Sequence, residues 1–105
     1  MAFCALDKLI NLTDGYRRQI KIDQLDLLLL QTAGTVFIIQ SRCPHREAPL
    51  LHGDIEAGTI YCPNHQFAFD LHTGHQVEKL CASLKTFLPV YEGNEVGIWL
   101  DDKTP

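Results

Sequence analysis

Two cysteine–histidine pairs constrain this chain more than any other feature of its sequence. The first pair is Cys43 and His45, the second is Cys62 and His65, and a proline directly follows each cysteine. Two thiolates and two imidazoles make a complete four-ligand set for a metal. The chain is therefore expected to be organised around a metal centre built from two short loops.

The distribution of these ligands separates two kinds of metal centre. A Cys₂His₂ zinc site usually pairs cysteine with cysteine and histidine with histidine, at C-x₂₋₄-C and H-x₃₋₅-H spacing. Here both pairs are mixed, and the spacing of Cys43 and His45 is tight for two ligands of one tetrahedral ion. Mixed pairs suit two irons bridged by sulfide, as in the [2Fe–2S] centre in which two histidines replace two cysteines on one iron. A structural zinc site is the alternative that the spacing leaves open.

The sequence around these ligands resembles that of the Rieske ferredoxins. The likeness is carried by Cys-Pro-His-Arg-x-Ala-Pro-Leu at 43–50, Cys-Pro-x-His at 62–65, Phe-Asp-Leu-x-Thr-Gly at 69–74, Leu-Lys-Thr at 84–86 and Glu-Gly-Asn-Glu-Val at 92–96. It is strong in the second two-thirds of the chain and rests on strand pattern alone in the first third. The resemblance implies one [2Fe–2S] cluster, with Cys43 and Cys62 on the inner iron and His45 and His65 on the solvent-facing outer iron.

This chain differs from the high-potential Rieske proteins of respiratory and photosynthetic complexes. Those proteins carry an extra cysteine in each cluster loop, where this chain has Ala48 and Asn64, and a hydroxyl residue where it has Phe67. They also have a membrane anchor, whereas the apolar runs here, such as 27–30, are far too short to cross a bilayer. The resemblance therefore implies the ferredoxin type of Rieske protein.

Composition sets the remaining limits. With 105 residues, 46% hydrophobic and 21% charged, the chain is expected to form a single domain over 1–105, with a cluster-binding lobe at about 42–75. A formal charge of −4 without a basic stripe argues against nucleic acid as a partner. The first residues lack the basic and long apolar regions of a signal peptide, so a cytoplasmic location is expected.

The first third of the sequence predicts strands. Segment 16–22 alternates, with Tyr16, Arg18, Ile20 and Ile22 on one face and Arg17, Gln19 and Lys21 on the other. The leucine-rich segment 26–32 is too short for a convincing helix, and a Gly34 turn joins it to the β-branched segment 36–40. These features predict a β-hairpin that leads into the first pair of ligands.

The end of the chain predicts a second hairpin, formed by 84–92 and 95–100 over Gly93-Asn94. Pro89 in the first arm indicates an edge strand or a bulge. The expected fold is all-β, a Rieske-like antiparallel β-sandwich with a small cluster-binding lobe.

Two function classes are consistent with the resemblance. The first is a soluble one-electron carrier that links a flavin-dependent reductase to a terminal non-haem iron oxygenase. The second is a redox subunit fixed in a larger reductase, such as the nitrite reductase small subunit; many such subunits lack the ligands, and this chain has all four, which favours the carrier. Arg46 is either a docking residue for such a partner or a solvated charge. A zinc-stabilised binding module is the non-redox alternative.

The chain is expected to be an electron-transfer component and not an enzyme. A terminal oxygenase needs a further site of two histidines and one carboxylate, for which 105 residues offer no room. The other cysteines, Cys4 and Cys81, are expected to be reduced thiols packed as small apolar groups. The other histidines, His52, His72 and His75, are not at ligand spacing from a cysteine or carboxylate, so they are expected in solvated loops and turns.

Overall fold

The structure is a computed structural model that describes residues 2–44, 48–63, 67–77 and 83–100. The strands in these ranges are β1 (Ala2–Lys8), β2 (Arg17–Ile22), β3 (Leu25–Thr32), β4 (Thr35–Gln40), β5 (Ile55–Glu56), β6 (Thr59–Tyr61), β7 (Ala68–Asp70), β8 (Thr86–Phe87), β9 (Val90–Glu92) and β10 (Glu95–Leu100). A short 3-10 turn, Leu9–Asn11, follows β1. No helix in the described ranges is long and apolar enough to cross a membrane.

The strands form three antiparallel sheets. The outer sheet has the order β1-β10-β9, the central sheet β2-β3-β4-β8, and the lobe sheet β5-β6-β7. Every strand pair in them is antiparallel. The predicted all-β antiparallel fold is confirmed, as is the hairpin of β3 and β4 that precedes the first pair of ligands.

Strand β3 of the central sheet is buried on both faces, which explains its run of four leucines. Leu27 and Leu29 face the outer core, which is the buried apolar cluster between the central sheet and the outer sheet. Leu28 and Leu30 face the lobe core, which is the buried apolar cluster between the central sheet and the lobe sheet. None of the four is more than 1% exposed. A strand covered on both faces becomes continuously apolar instead of alternating. The central sheet therefore forms the floor on which the lobe rests.

The predicted final hairpin is only partly correct. Glu95–Leu100 pairs with Val90–Glu92 in the outer sheet, as expected, but Thr86–Phe87 pairs with β4 in the central sheet. The predicted single arm over 84–92 is therefore wrong, because the chain crosses between sheets around Pro89, whose nitrogen cannot donate to a ladder. Both short strands lie at sheet edges, as the proline indicated.

Asp7 is a buried carboxylate at the end of β1, 6% exposed. A bulge between Ala5 and Asp7 shifts the register of β1 against β10 and leaves Leu6 and Asp7 both buried. The carboxylate lies against the Asn11 side-chain amide (2.8 Å), the Tyr16 hydroxyl (2.5 Å), the Lys8 backbone N–H (2.7 Å) and the Arg18 guanidinium (3.4 Å). Burial raises the pKa of Asp7, but the donors together with Arg18 outweigh it and lower the pKa to about 2.

We expect Asp7→Asn to destabilise the fold by about 2 kcal/mol at pH 7, since a lowered carboxylate pKa is a stability contribution. That contribution is complete above the ordinary pKa of 3.8 and is lost as the pH falls toward 2. Urea unfolding at pH 7, 5, 4 and 3 should therefore show the wild-type and variant curves converging below pH 4. Asp54→Asn, at an exposed position, is the control and should change stability little. A gap that is independent of pH would contradict the assignment.

Candidate metal centre

Two hairpin loops of equal length carry the predicted ligands. The antiparallel partners that flank them are Arg42 and Pro49 for the first and Tyr61 and Ala68 for the second. Each pair of partners encloses six residues, so the first loop is 43–48 and the second loop is 62–67. The same construction thus occurs twice, once after the central sheet and once within the lobe sheet.

The cysteine is the first residue of each loop, and each loop is closed in the same way. The Cys43 N–H donates to the Ala48 carbonyl, and the Cys62 N–H donates to the Phe67 carbonyl, both at 2.8 Å. Both cysteines have 0% exposure and belong to the lobe core. The two predicted sulfur ligands are therefore fixed at the bases of the loops and enclosed by one apolar cluster.

The described part of the site fits a metal group bound between the two loops. Cys43 and Cys62 are reduced thiols, and a pair of buried thiolates is a donor set for iron–sulfur clusters or zinc. His45 and His65 occupy the third position of the first loop and the fourth of the second, and they lie outside the described residues. Across the described ranges, no group of three or more potential metal ligands occurs.

The segment that joins the two loops packs against the base of the second loop and hydrogen-bonds to Leu50, just after the first loop. The Gly53 N–H donates to the Leu50 carbonyl (2.9 Å), and the Tyr61 N–H donates to the Asp54 carbonyl (2.8 Å). A Cβ atom added to Gly53 would lie 2.3 Å from the carbonyl oxygen of Tyr61, the residue just before Cys62. Only glycine allows this approach, so the segment locks one loop base against the other.

Arg17 is a residue of the site that sequence reasoning missed. Its guanidinium donates to the carbonyls of Leu51 (2.9 Å) and Gly53 (2.5 Å), although strand alternation grouped it with the polar residues of β2. Its partners are backbone carbonyls 34 and 36 positions away, so no local pattern could mark it. The predicted opposite face is confirmed, because Tyr16, Ile20 and Ile22 pack against the outer core.

The entry to the first loop is held by polar contacts with the central sheet. The Gln40 side chain donates to the Arg42 carbonyl (2.7 Å), and the Arg42 guanidinium lies 3.4 Å from the Asp26 carboxylate. Burial raises the pKa of Asp26, but the hydrogen bond from Gln19 and the charge of Arg42 have a larger, opposite effect. The pKa of Asp26 therefore lies below its usual value. Arg42 is thus ion-paired at physiological pH, even though its side chain is 45% exposed.

The remaining cysteines and histidines are placed largely as predicted. Cys4 is a reduced thiol that is half-buried against the outer core, and Cys81 lies outside the described residues. The histidines His52, His72 and His75 are exposed, as expected. The His72 ring also packs edge-on against Phe37, with ring centres 4.9 Å apart, and its Nδ1 is 3.7 Å from the Asp70 carboxylate.

An all-β domain with two matched, cysteine-first loops defines a class of metalloprotein in which two hairpins share one centre. The Rieske [2Fe-2S] domain family matches residues 3–91 of this chain. The chain belongs to this family, which confirms the resemblance to the Rieske ferredoxins noted in its sequence. A domain of this family implies an iron–sulfur cluster, which fits the two buried thiols.

Three relatives are similar to most of the chain or to part of it. The ferredoxin component of the naphthalene 1,2-dioxygenase system of Pseudomonas aeruginosa is 30% identical over 94 residues, which cover 86% of this chain and 88% of that protein. The Sphingomonas yanoikuyae B1 ferredoxin has the same fold, with a TM-score of 0.85 and 25% identity, covering 95% of this chain and 100% of that one. Apoptosis-inducing factor 3 of mouse and human is 31% identical over 64 residues, 61% of this chain, but the match spans only 11% of that protein.

Proposed function

We propose that this chain holds one [2Fe–2S] cluster through Cys43, His45, Cys62 and His65 and serves as a one-electron carrier in the cytoplasm. The observation that carries the proposal is the pair of buried thiols at the first position of two equal loops. Each loop then supplies one histidine, two residues after the first cysteine and three after the second. Such mixed pairs let both loops contribute to both irons, whereas one tetrahedral zinc ion accepts the C-x-H pair poorly.

The residues of the chain divide the work of an electron carrier between them. When bound, a cluster of this type takes up and releases one electron at a higher potential than an all-cysteine plant-type cluster. Cys43 and Cys62 hold it from the buried side, where the lobe core keeps water away from the thiolates. His45 and His65 lie further along the loops and are the ligands proposed to face the partner.

Relatives support an oxygenase system as the setting for this carrier. The naphthalene dioxygenase ferredoxin component matches over 88% of its own length, so this chain corresponds to nearly all of that component. We propose that the chain passes electrons from a flavin-dependent reductase to a terminal non-haem iron oxygenase. It then acts as an electron-transfer component, and the catalysis belongs to its partner.

Metal analysis of purified protein tests the cluster. The protein should be red-brown, contain about two irons and two sulfides per chain, and give a Rieske-type EPR signal on reduction. The physical reason is that two thiolates and two neutral imidazoles suit such a cluster. A colourless protein with one zinc per chain would overturn the proposal in favour of the zinc-stabilised binding module.

A charge reversal at Arg46, within the first loop, tests whether the chain docks transiently. Arg46→Glu should slow electron delivery to an acidic partner at low salt and leave the visible spectrum unchanged. The deficit should shrink as salt increases, since the Debye length falls from about 30 Å at 0.01 M to about 10 Å at 0.1 M. Lys8→Glu is the control. Lys8 is on the outer sheet, on the opposite side of the central sheet from the two loops, so this substitution should have little effect on electron delivery.

A fixed subunit would behave differently in the same experiment. It would be recovered in a stable one-to-one complex with a large reductase, and Arg46→Glu would change its turnover equally at both salt concentrations. That result would replace the carrier by the alternative, a small redox subunit of a larger reductase such as nitrite reductase.

A further inference from the structure

Arg17 joins the central sheet to the segment between the two loops. It lies on β2, and its guanidinium nitrogen Nη1 donates to the carbonyl oxygens of Leu51 and Gly53 at 2.9 and 2.5 Å. It faces the lobe side of the sheet, since its cross-strand partner Leu30 belongs to the lobe core. Charge-assisted hydrogen bonds of this kind are about twice as strong as neutral ones.

The carbonyls that Arg17 holds are placed to control both loop bases. Leu50 donates its N–H to the Ser41 carbonyl at 2.8 Å, which closes the base of the first loop just before this segment begins. Gly53 packs against the Tyr61 carbonyl, directly before the second loop. A shift of the segment 51–53 would therefore move both cysteines, and Arg17 opposes that shift from the rigid central sheet.

Arg17 differs from Arg18 and Arg42 in the groups that surround its positive charge. Arg18 lies 3.4 Å from the Asp7 carboxylate, and Arg42 lies 3.4 Å from that of Asp26. Arg17 is half-buried, and among the described residues it has carbonyl partners but no carboxylate within ion-pair distance. An arginine always carries its charge, so the lobe has a fixed cation beneath it that no described acid neutralises.

We propose that Arg17 is a positioning residue with two effects on the metal centre. Its two hydrogen bonds fix the segment that sets the relative position of the loops, and its charge favours the reduced centre, which is one unit more negative than the oxidised one. This inference rests on the proposed function, because it concerns the potential of the cluster held by the two loops.

Two variants separate the effects. Arg17→Gln removes the charge and the paired hydrogen bonds, so the midpoint potential should fall and the visible absorbance should bleach about tenfold faster in chelator. Arg17→Lys retains the charge but replaces the rigid, planar group whose Nη1 contacts both carbonyls with a flexible ammonium group, so its potential should stay near that of the wild type while bleaching is still faster. Lys21→Gln removes an exposed cation from the same face of β2 and should leave both measurements unchanged.

Amide hydrogen exchange at Cys43 and Cys62 provides a readout that does not depend on the cluster. Both amides close their loops by hydrogen bonds, and both should exchange faster in Arg17→Gln than in Lys21→Gln. Wild-type potential, bleaching and exchange in Arg17→Gln would overturn the inference while leaving the proposed function intact. A fall in potential in Arg17→Lys equal to that in Arg17→Gln would overturn the electrostatic effect. If Arg17→Gln does not fold, Arg17→Lys alone carries the test, and a wild-type rate of bleaching in that variant refutes the positioning role of the two hydrogen bonds.

Discussion

Replacement of His65 by alanine should yield a protein without the visible absorbance and EPR signal of a Rieske cluster, and His45→Ala should do the same. Each substitution removes one of the four proposed ligands, and neither loop sequence contains a second cysteine or histidine. Loss of a residue that only supports a ligand already costs about 10–100-fold in metal affinity. Loss of the ligand itself should exceed that range, and iron analysis of the purified variants measures it.

His72→Ala is the matched control for these ligand substitutions. His72 is an exposed histidine outside both loops, and its ring contact is with Phe37. The variant should keep its iron, its sulfide and its EPR signal. Bleaching of His72→Ala, or retention of the signal in His65→Ala, would show that the proposed ligand set is wrong.

Gly53→Ala should be the most damaging single substitution in the segment between the loops. The new methyl group would lie 2.3 Å from the Tyr61 carbonyl oxygen, and backbone atoms on both sides prevent an easy adjustment. Overpacking of this kind costs about 1–3 kcal/mol, and a backbone clash belongs at the upper end. We expect a loss of at least about 2 kcal/mol in the free energy of unfolding and roughly 8–16 °C in Tm.

Gly34→Ala separates this steric effect from the general cost of replacing glycine. Gly34 has a positive φ of +76°, but an added Cβ would meet nothing within 4 Å. Its substitution should therefore cost only about 1 kcal/mol, from backbone strain. Thermal unfolding of both variants, with iron content measured in parallel, decides the matter. If Gly53→Ala is no less stable than Gly34→Ala, the close packing of the two loop bases is not the constraint that we infer.

Much of the fold could be predicted from the sequence, because local signals and tertiary structure agree there. The turn at Gly34 and the β-branched segment after it specify the hairpin of β3 and β4, and the paired ligand motifs specify the two loops. The four buried leucines of β3 are ambiguous only between a helix and a strand, since a strand covered on both faces has no alternation of apolar and polar residues to detect.

The features that could not be predicted all depend on distant partners. Asp7 looks like a polar strand end, and it becomes a buried carboxylate because Tyr16 and Asn11 supply donors from outside β1. The prediction of the final hairpin fails at Pro89. Whether the residues before this proline pair with the outer or the central sheet depends on which sheet edge lies nearby in the folded chain. Arg17 resembles any charged residue of an alternating strand until the segment 51–53 is folded over it.

The sharing of the lobe core between sheet and loops has a consequence for how this protein matures. The floor of that core consists of Leu28, Leu30, Phe37 and Ile39, none more than 8% exposed, and its roof includes both proposed sulfur ligands. A newly made chain without metal lacks the additional bonds that the metal would form with these thiols, so the floor should open more readily to solvent and to other chains. Aggregation and proteolysis then compete with metal insertion. The amount of this protein in a cell should therefore follow the supply of iron and sulfide more closely than its rate of synthesis.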